Sequence, residues 1–176
     1  GKREVILSGE AYFDVVKDKS APFIVRTESG NIEVLGTEFN IKCYSDETAL
    51  VTTLVNGKVK FDDGINPSVI LKPEEQLIFE KENCQSIVRK INVNHYIGWK
   101  DNRLSFQGER LDMIMKTLSR WYNVEVVFED STLKALEFSG NLDKFTNIQE
   151  FLSLFELGVN VKFEIKDRTV YIRKGN

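Results

Sequence analysis

The chain has 176 residues, 41% hydrophobic and 29% charged, enough apolar content to bury a core and enough charge to keep it soluble. Its net charge is −3: residues 1–95 carry 12 basic and 15 acidic side chains, and residues 96–176 carry 12 of each. Neither half has the basic excess that a phosphate backbone selects, which argues against nucleic acid as a partner, and no apolar run is long enough to span a bilayer.

Residues 4–90 read as all β. Ten short alternating segments follow one another: EVIL, AYFDVV, PFIVRT, NIEVLG, EFNIKCY, ALVTTLV, KVKF, SVIL, EQLIFE and SIVRKI. Strands this short, with turn residues between them and no helical period, predict a sandwich, a roll or a solenoid-like β domain over residues 1–93. Asn56-Gly57 lies between two alternating runs and predicts a type I′ hairpin. Ser29-Gly30-Asn31 and Asp63-Gly64 mark further turns, and Gly36 a bulge or bend. Cys43 alternates with Phe39 and Ile41 and reads as a small buried hydrophobe. Cys84 sits in the polar stretch KENCQS, a loop, and no disulfide between the two is expected.

The pattern changes across residues 91–98, INVNHYIG, an ordered junction that opens a second domain over 97–176, with Trp99 packed near it. Leu104 and Phe106 follow a strand period, Leu111, Ile114, Met115 and Leu118 a helical one, and Val124, Val126 and Phe128 a strand period again. Gly108 and Asn123 are the expected breaks around the helix. The plan then recurs. Leu136, Phe138 and Gly140 repeat the first strand at an offset of 32. Ile148, Phe151, Leu152 and Phe155 repeat the helix at 37, and Val161, Phe163 and Ile165 repeat the second strand at 37. The five-residue difference places an insertion in NLDKF. Two copies of one β-α-β unit can therefore close a small core that neither could close alone. Asn147, with Glu150 three residues on, predicts a capped start for a helix over 148–156, and Gly158 its stop. VKFEI and TVYIR predict a closing hairpin.

No constellation for catalysis emerges. His95 is the single histidine, without a nucleophile motif beside it, and is expected to be structural. Metal-ligand spacings and glycine-rich phosphate loops are missing, so no cofactor is expected. Asp62-Asp63-Gly64 lacks the further carboxylates of a calcium loop and reads as a solvated turn. Glu74-Glu75 reads as a surface pair. Trp121 continues the apolar stripe of the first helix, which favours core over an exposed anchor; for Tyr122 both readings stay open.

Several motifs, in order, resemble one family. GEAYFDVV supplies Gly9, Glu10, Phe13, Asp14 and Val15; PFIVRT supplies Pro22, Phe23, Val25 and Thr27. Leu35 to Asn40 (LGTEFN) and Leu54, Gly57 and Val59 follow. This half resembles the FecR family of bacterial anti-sigma factors and sigma regulators. Trp99, Leu104 and Phe106, then Arg120 to Val124 (RWYNV), resemble the C-terminal domain common in Bacteroidetes members, itself similar to the short signalling domains of TonB-dependent receptors and secretins. The chain departs from the family at Pro73-Glu74-Glu75, where members often have Gly-Glu.

The resemblance implies the periplasmic sensor region of a single-pass inner-membrane anti-sigma factor. It would receive a signal from the signalling domain of a TonB-dependent outer-membrane receptor and relay it to an extracytoplasmic-function (ECF) sigma factor. It implies regulation rather than catalysis. The sigma-binding segment and membrane helix are expected before residue 1, and the opening Gly1-Lys2-Arg3, close to a strand, reads as a cut from a longer chain. The receptor domain is expected to dock on residues 99–176, by strand addition at a final edge strand (Thr169, Tyr171, Arg173), by the helix surface of Lys116, Arg120 and Tyr122, or by both. The plainer alternative is that this unit only braces the β domain. Two other classes are a carbohydrate-binding β module, which requires coplanar exposed aromatics on one β face, and an enzyme.

Overall fold

A computed structural model describes residues 3–143 and 147–175, with the side chain of Asp143 left aside. Residues 1 and 2, and the part of the NLDKF insertion at Lys144 and Phe145, lie outside the described residues. The chain divides into two compact units between Ile97 and Gly98.

Each of the ten alternating segments forms a strand in the first unit. They are β1 (Arg3–Ile6), β2 (Gly9–Asp14), β3 (Phe23–Thr27), β4 (Gly30–Val34), β5 (Glu38–Cys43), β6 (Ala49–Asn56), β7 (Val59–Asp62), β8 (Val69–Leu71), β9 (Glu75–Glu80) and β10 (Gln85–Lys90). They make two five-stranded sheets, ordered β1-β3-β4-β7-β8 and β10-β9-β6-β5-β2. Only β1 and β3 run parallel. From β3 onward the chain lays strands down in pairs and changes sheet after each pair. Alternation turns Val25, Ile32, Val34, Val59, Phe61 and Leu71 inward from the first sheet. Phe39, Ile41, Cys43, Leu50, Leu54, Leu77 and Phe79 meet them from the second. Phe61 and Phe79 touch across the two sheets with ring centroids 5.1 Å apart. Cys43 is buried as expected, and both cysteines are free.

The outer face of the second sheet is polar yet partly closed. Asn40, Thr53 and Gln76 occupy one register row and are buried. Gln76 Nε2 donates to Thr53 Oγ1 (2.8 Å), and its Oε1 accepts two bonds from Arg89. Arg89 also donates to the hydroxyl of Tyr96, on the short helix α1 (Asn94–Ile97), which fixes that helix against the strand ends.

The places where the chain changes sheet are tight corners, and they correct the hairpin expectation at Asn56-Gly57. The strands on either side, β6 and β7, belong to different sheets and do not pair. Gly57 alone of the two has a positive φ (+96°), so the turn is not type I′. Gly36 makes the preceding corner at φ +150°, which resolves the bulge-or-bend alternative in favour of a bend. The next corner uses Glu74, at φ 65°, in the Pro73-Glu74 turn that departs from the family pattern. A side chain there strains the left-handed backbone, and position i+2 of such a Pro-led turn favours glycine. Glu74 is exposed, and its backbone bonds to Leu54 and Ile91 survive loss of the side chain. Glu74→Gly is therefore expected to stabilise the protein by about 1 kcal/mol, visible as a raised denaturation midpoint. A lowered midpoint would refute it.

The second unit contains β11 (Arg103–Arg110), α2 (Leu111–Tyr122), β12 (Glu125–Phe128), β13 (Glu137–Asp143), α3 (Ile148–Glu156), β14 (Val161–Lys166) and β15 (Thr169–Lys174). The two β-α-β copies are present but interlocked. Their first strands pair with each other in a β11-β13 sheet, and their second strands flank β15 in a β12-β15-β14 sheet. Leu111, Ile114, Met115 and Leu118 of α2 and Phe151, Leu152 and Phe155 of α3 fill one core with Val170 and Ile172 of β15. Asn123 closes α2 in the left-handed conformation (φ 53°), and Asn147 caps α3 by accepting from the Glu150 N–H at 2.9 Å, as expected. Gly108 does not cap the helix. It makes an irregularity within β11, which runs on to Arg110, and its N–H is held by Ser139 Oγ. Helix α3 ends at Glu156, two residues before Gly158.

Candidate functional site

The expectation of an open final edge at Thr169–Arg173 is overturned: β15 is the central strand of its sheet. Its register pairs Val127↔Tyr171 on one side and Glu164↔Tyr171 on the other, so its backbone groups are occupied. Thr169, Tyr171 and Arg173 project together from the face opposite the buried Val170 and Ile172. Glu164 and Lys166 of β14 share that surface: Lys166 lies 5.7 Å from the Tyr171 ring centroid, and Arg173 is within 4.0 Å of Glu164. Lys116, Arg120 and Tyr122 lie on α2, half-buried, on the core side of the sheet. The two groups of predicted residues are thus separated by the sheet rather than joined in one patch. Tyr122 packs against the core beside Trp121, and burial pushes its phenol pKa up.

The open edges of this sheet are β12 and β14. The N–H groups of Glu125, in β12, and of Glu129, just after it, donate to the carbonyls of Arg168 and Ile172, at 2.7 and 2.9 Å. Those of Val126 and Phe128 alternate to the other side. Beside this edge, on the α2 side, lies a cleft of about 570 Å³ lined in part by Met115, Lys116, Ser119, Val126, Phe128 and Lys134. Arg168 donates two bonds to the Asn123 carbonyl at the end of α2 (3.2 and 2.9 Å), where a cation also suits the helix dipole. That contact positions the α2 end against the start of β12. Of the cleft residues the sequence marks only Lys116 as a partner contact, while Met115, Val124, Val126 and Phe128 read there as core positions. A short VEVVF run signals a strand but not which of its neighbours leaves it unpaired.

The far end of β12 is held by a charge contact. Asp130 caps the 3₁₀ turn Ser131–Ala135 by accepting from Thr132 N and Oγ1, and it pairs with Lys174 Nζ at 2.8 Å. The Lys174 ammonium and the Thr132 bonds hold its carboxyl at about 2. A pKa lowered in the folded state stabilises above the unfolded value of about 4, and that stabilisation disappears as pH falls through about 2. Asp130→Asn is expected to be less stable than the parent at pH 7, with the gap closing as pH falls across that window in acid titrations followed by circular dichroism. A constant gap would exclude this origin.

Among the described residues there is no group of three or more His, Cys, Asp or Glu side chains placed to hold a metal, and no helix long and apolar enough to cross a membrane. The phenylalanines of the first unit are directed inward, with Phe13 stacked on Phe39 at 5.1 Å and Phe23 beside them.

The sequence profile described as FecR protein matches residues 1–60, and that described as FecR, C-terminal matches residues 103–172. Two crystal structures of a candidate anti-sigma factor from Parabacteroides distasonis ATCC 8503, at 1.65 and 2.50 Å, are similar to this chain. Each superposes with a TM-score of 0.89 at 25% identity over 99% of this chain, and over 82% and 81% of theirs. No curated protein matches. The β sandwich carries the first profile over residues 1–60 and the interlocked α+β unit carries the second over residues 103–172, and the class they define is a regulatory one. The chain belongs to the FecR family of anti-sigma factors.

Proposed function

We propose that this chain is the periplasmic sensor region of a membrane-anchored anti-sigma factor. It receives the signalling domain of a TonB-dependent outer-membrane receptor and relays that contact to an ECF sigma factor through a cytoplasmic segment. The observation that carries the docking step is the unpaired edge of β12 beside the α2 cleft. The family resemblance implies that receptor signalling domains share this unit's plan, so a strand from one can continue the β12-β15-β14 sheet while its side chains enter the cleft. The near-neutral charge of residues 96–176 favours recognition by shape over long-range steering. Docking at β12 replaces addition at β15, whose two sides are filled.

The test is a titration of the cognate signalling domain into the isotope-labelled protein, followed by NMR. Shifts are expected in β12 and around Lys116, Arg120 and Tyr122. Val126→Pro, which removes an outward N–H from an edge strand, and Lys116→Glu should each weaken binding about tenfold or more in a folded protein. Shifts confined to residues 3–97, with both variants binding normally, would transfer the docking surface to the β sandwich.

A further inference from the structure

A second cleft, of about 570 Å³, lies on the first unit, away from the elements used above. Its floor is the outer side of the first sheet and the two corners at Gly36 and Gly57. Leu35 and Ile70 are its exposed apolar residues, at 42% and 47% of full exposure. Lys17 and Lys19 come from the segment after β2, Lys58 from the Gly57 corner, and Lys60 from β7, where it lies between Glu33 and Ile70 in the register. Glu33 is the single acid in the lining. The cleft therefore carries four cations against one anion in a chain whose net charge is −3. None of the four ammonium groups has an ion-pair or hydrogen-bond partner among the described residues, whereas Lys42, Lys100, Lys162, Lys166 and Lys174 all have one.

The walls are held by backbone. Thr37, buried between the corners, donates from Oγ1 to the Lys58 carbonyl at 3.0 Å, and Asp18 N–H donates to the Leu35 carbonyl at 2.7 Å. The segment carrying Lys17 and Lys19 and the segment carrying Lys58 are thereby both fastened to the Gly36 corner. Unpaired cations fixed around an apolar floor, inside the ~300–1,000 Å³ range of ligand clefts, suit a ligand that is both anionic and apolar.

We propose that this cleft docks a short, extended acidic segment of a partner protein, with carboxylates on the lysines and an apolar side chain between them on Leu35 and Ile70. Charge complementarity selects the acid, and the apolar floor distinguishes such a peptide from a purely anionic polymer. This contact is separate from the receptor docking proposed above and does not depend on it.

The probe is a fluorescein-labelled octapeptide alternating Glu and Leu, titrated with the 176-residue chain and read by anisotropy. Saturable binding is expected, weakening at least tenfold in Lys58→Glu/Lys60→Glu and, independently, in Lys17→Glu/Lys19→Glu, the latter on exposed positions where charge reversal leaves the fold intact. Analogues alternating Gln with Leu, or Glu with Ser, should each bind at least tenfold more weakly. Absence of saturable binding, unchanged affinity in both double variants, or equal affinity for the Glu/Ser peptide would each overturn the proposal. So would sedimentation with phosphatidylglycerol vesicles in the absence of octapeptide binding, which would make the face a lipid contact.

Discussion

Replacing Gly36 by alanine is expected to destabilise the first unit by on the order of 3–5 kcal/mol. Its φ of +150° is one that side chains rarely adopt, and a Cβ built there would lie 2.4 Å from Lys17 Cα. That atom belongs to a backbone fastened on both sides: Val15 and Thr37 exchange N–H···O bonds at 3.1 Å, and Asp18 bonds to Leu35. Neither side can yield without opening a corner between the two sheets. Gly57 is the counterpart at the next corner, where an added Cβ would meet the Gly36 carbonyl and Thr37 Oγ1 at 2.8 Å each. The right control is Gly64, which also has a positive φ (+75°) but open space around it. Gly64→Ala should cost only about 1 kcal/mol, the conformational share alone. Denaturant titrations followed by circular dichroism make the comparison. Equal losses at positions 36 and 64 would show that close approach contributes nothing at the corner.

Phe151→Ala should be comparably severe in the second unit, about 3–5 kcal/mol. Phe151 is fully buried and joins the two repeats: it meets Phe106 of β11 edge-on at 6.4 Å and Phe155 at 5.4 Å. Phe155 then contacts Phe138 at 4.7 Å and Phe163 at 6.3 Å. Truncation leaves a cavity bounded by strands of both sheets, which cannot collapse without shifting one copy against the other. A unit of this size has roughly 5–10 kcal/mol in total, so most of its stability is at stake. Both tryptophans, Trp99 and Trp121, lie in this unit, so their fluorescence reports its unfolding directly. The exposed Ser153→Ala on the same helix should move the midpoint little, within about 0.5 kcal/mol. A midpoint for Phe151→Ala no lower than that of Ser153→Ala would contradict the packing described.

What the sequence determined by itself is the local order of the chain. Each of the ten alternating segments became a strand because a two-residue period decides which side chains face inward without reference to a partner. The helices at 111–122 and 148–156 and their ends at Asn123 and Asn147 were equally legible, since stripe and cap are written within a few residues. The repeat showed that two copies share a core, because matched spacings survive in the sequence. Only the tertiary structure decided which strand lies beside which. Asn56-Gly57 looks like a hairpin locally, yet it turns the chain from one sheet to the other. Thr169–Lys174 ends the chain as an edge strand would, yet it fills the centre of its sheet, and the open edge falls to β12. The lysine cleft likewise joins positions 17, 19, 58 and 60, which no spacing rule connects. Alternation specifies a face but not a neighbour. Neighbours are chosen by non-local hydrogen bonding and by which pairing buries both faces of every copy at once.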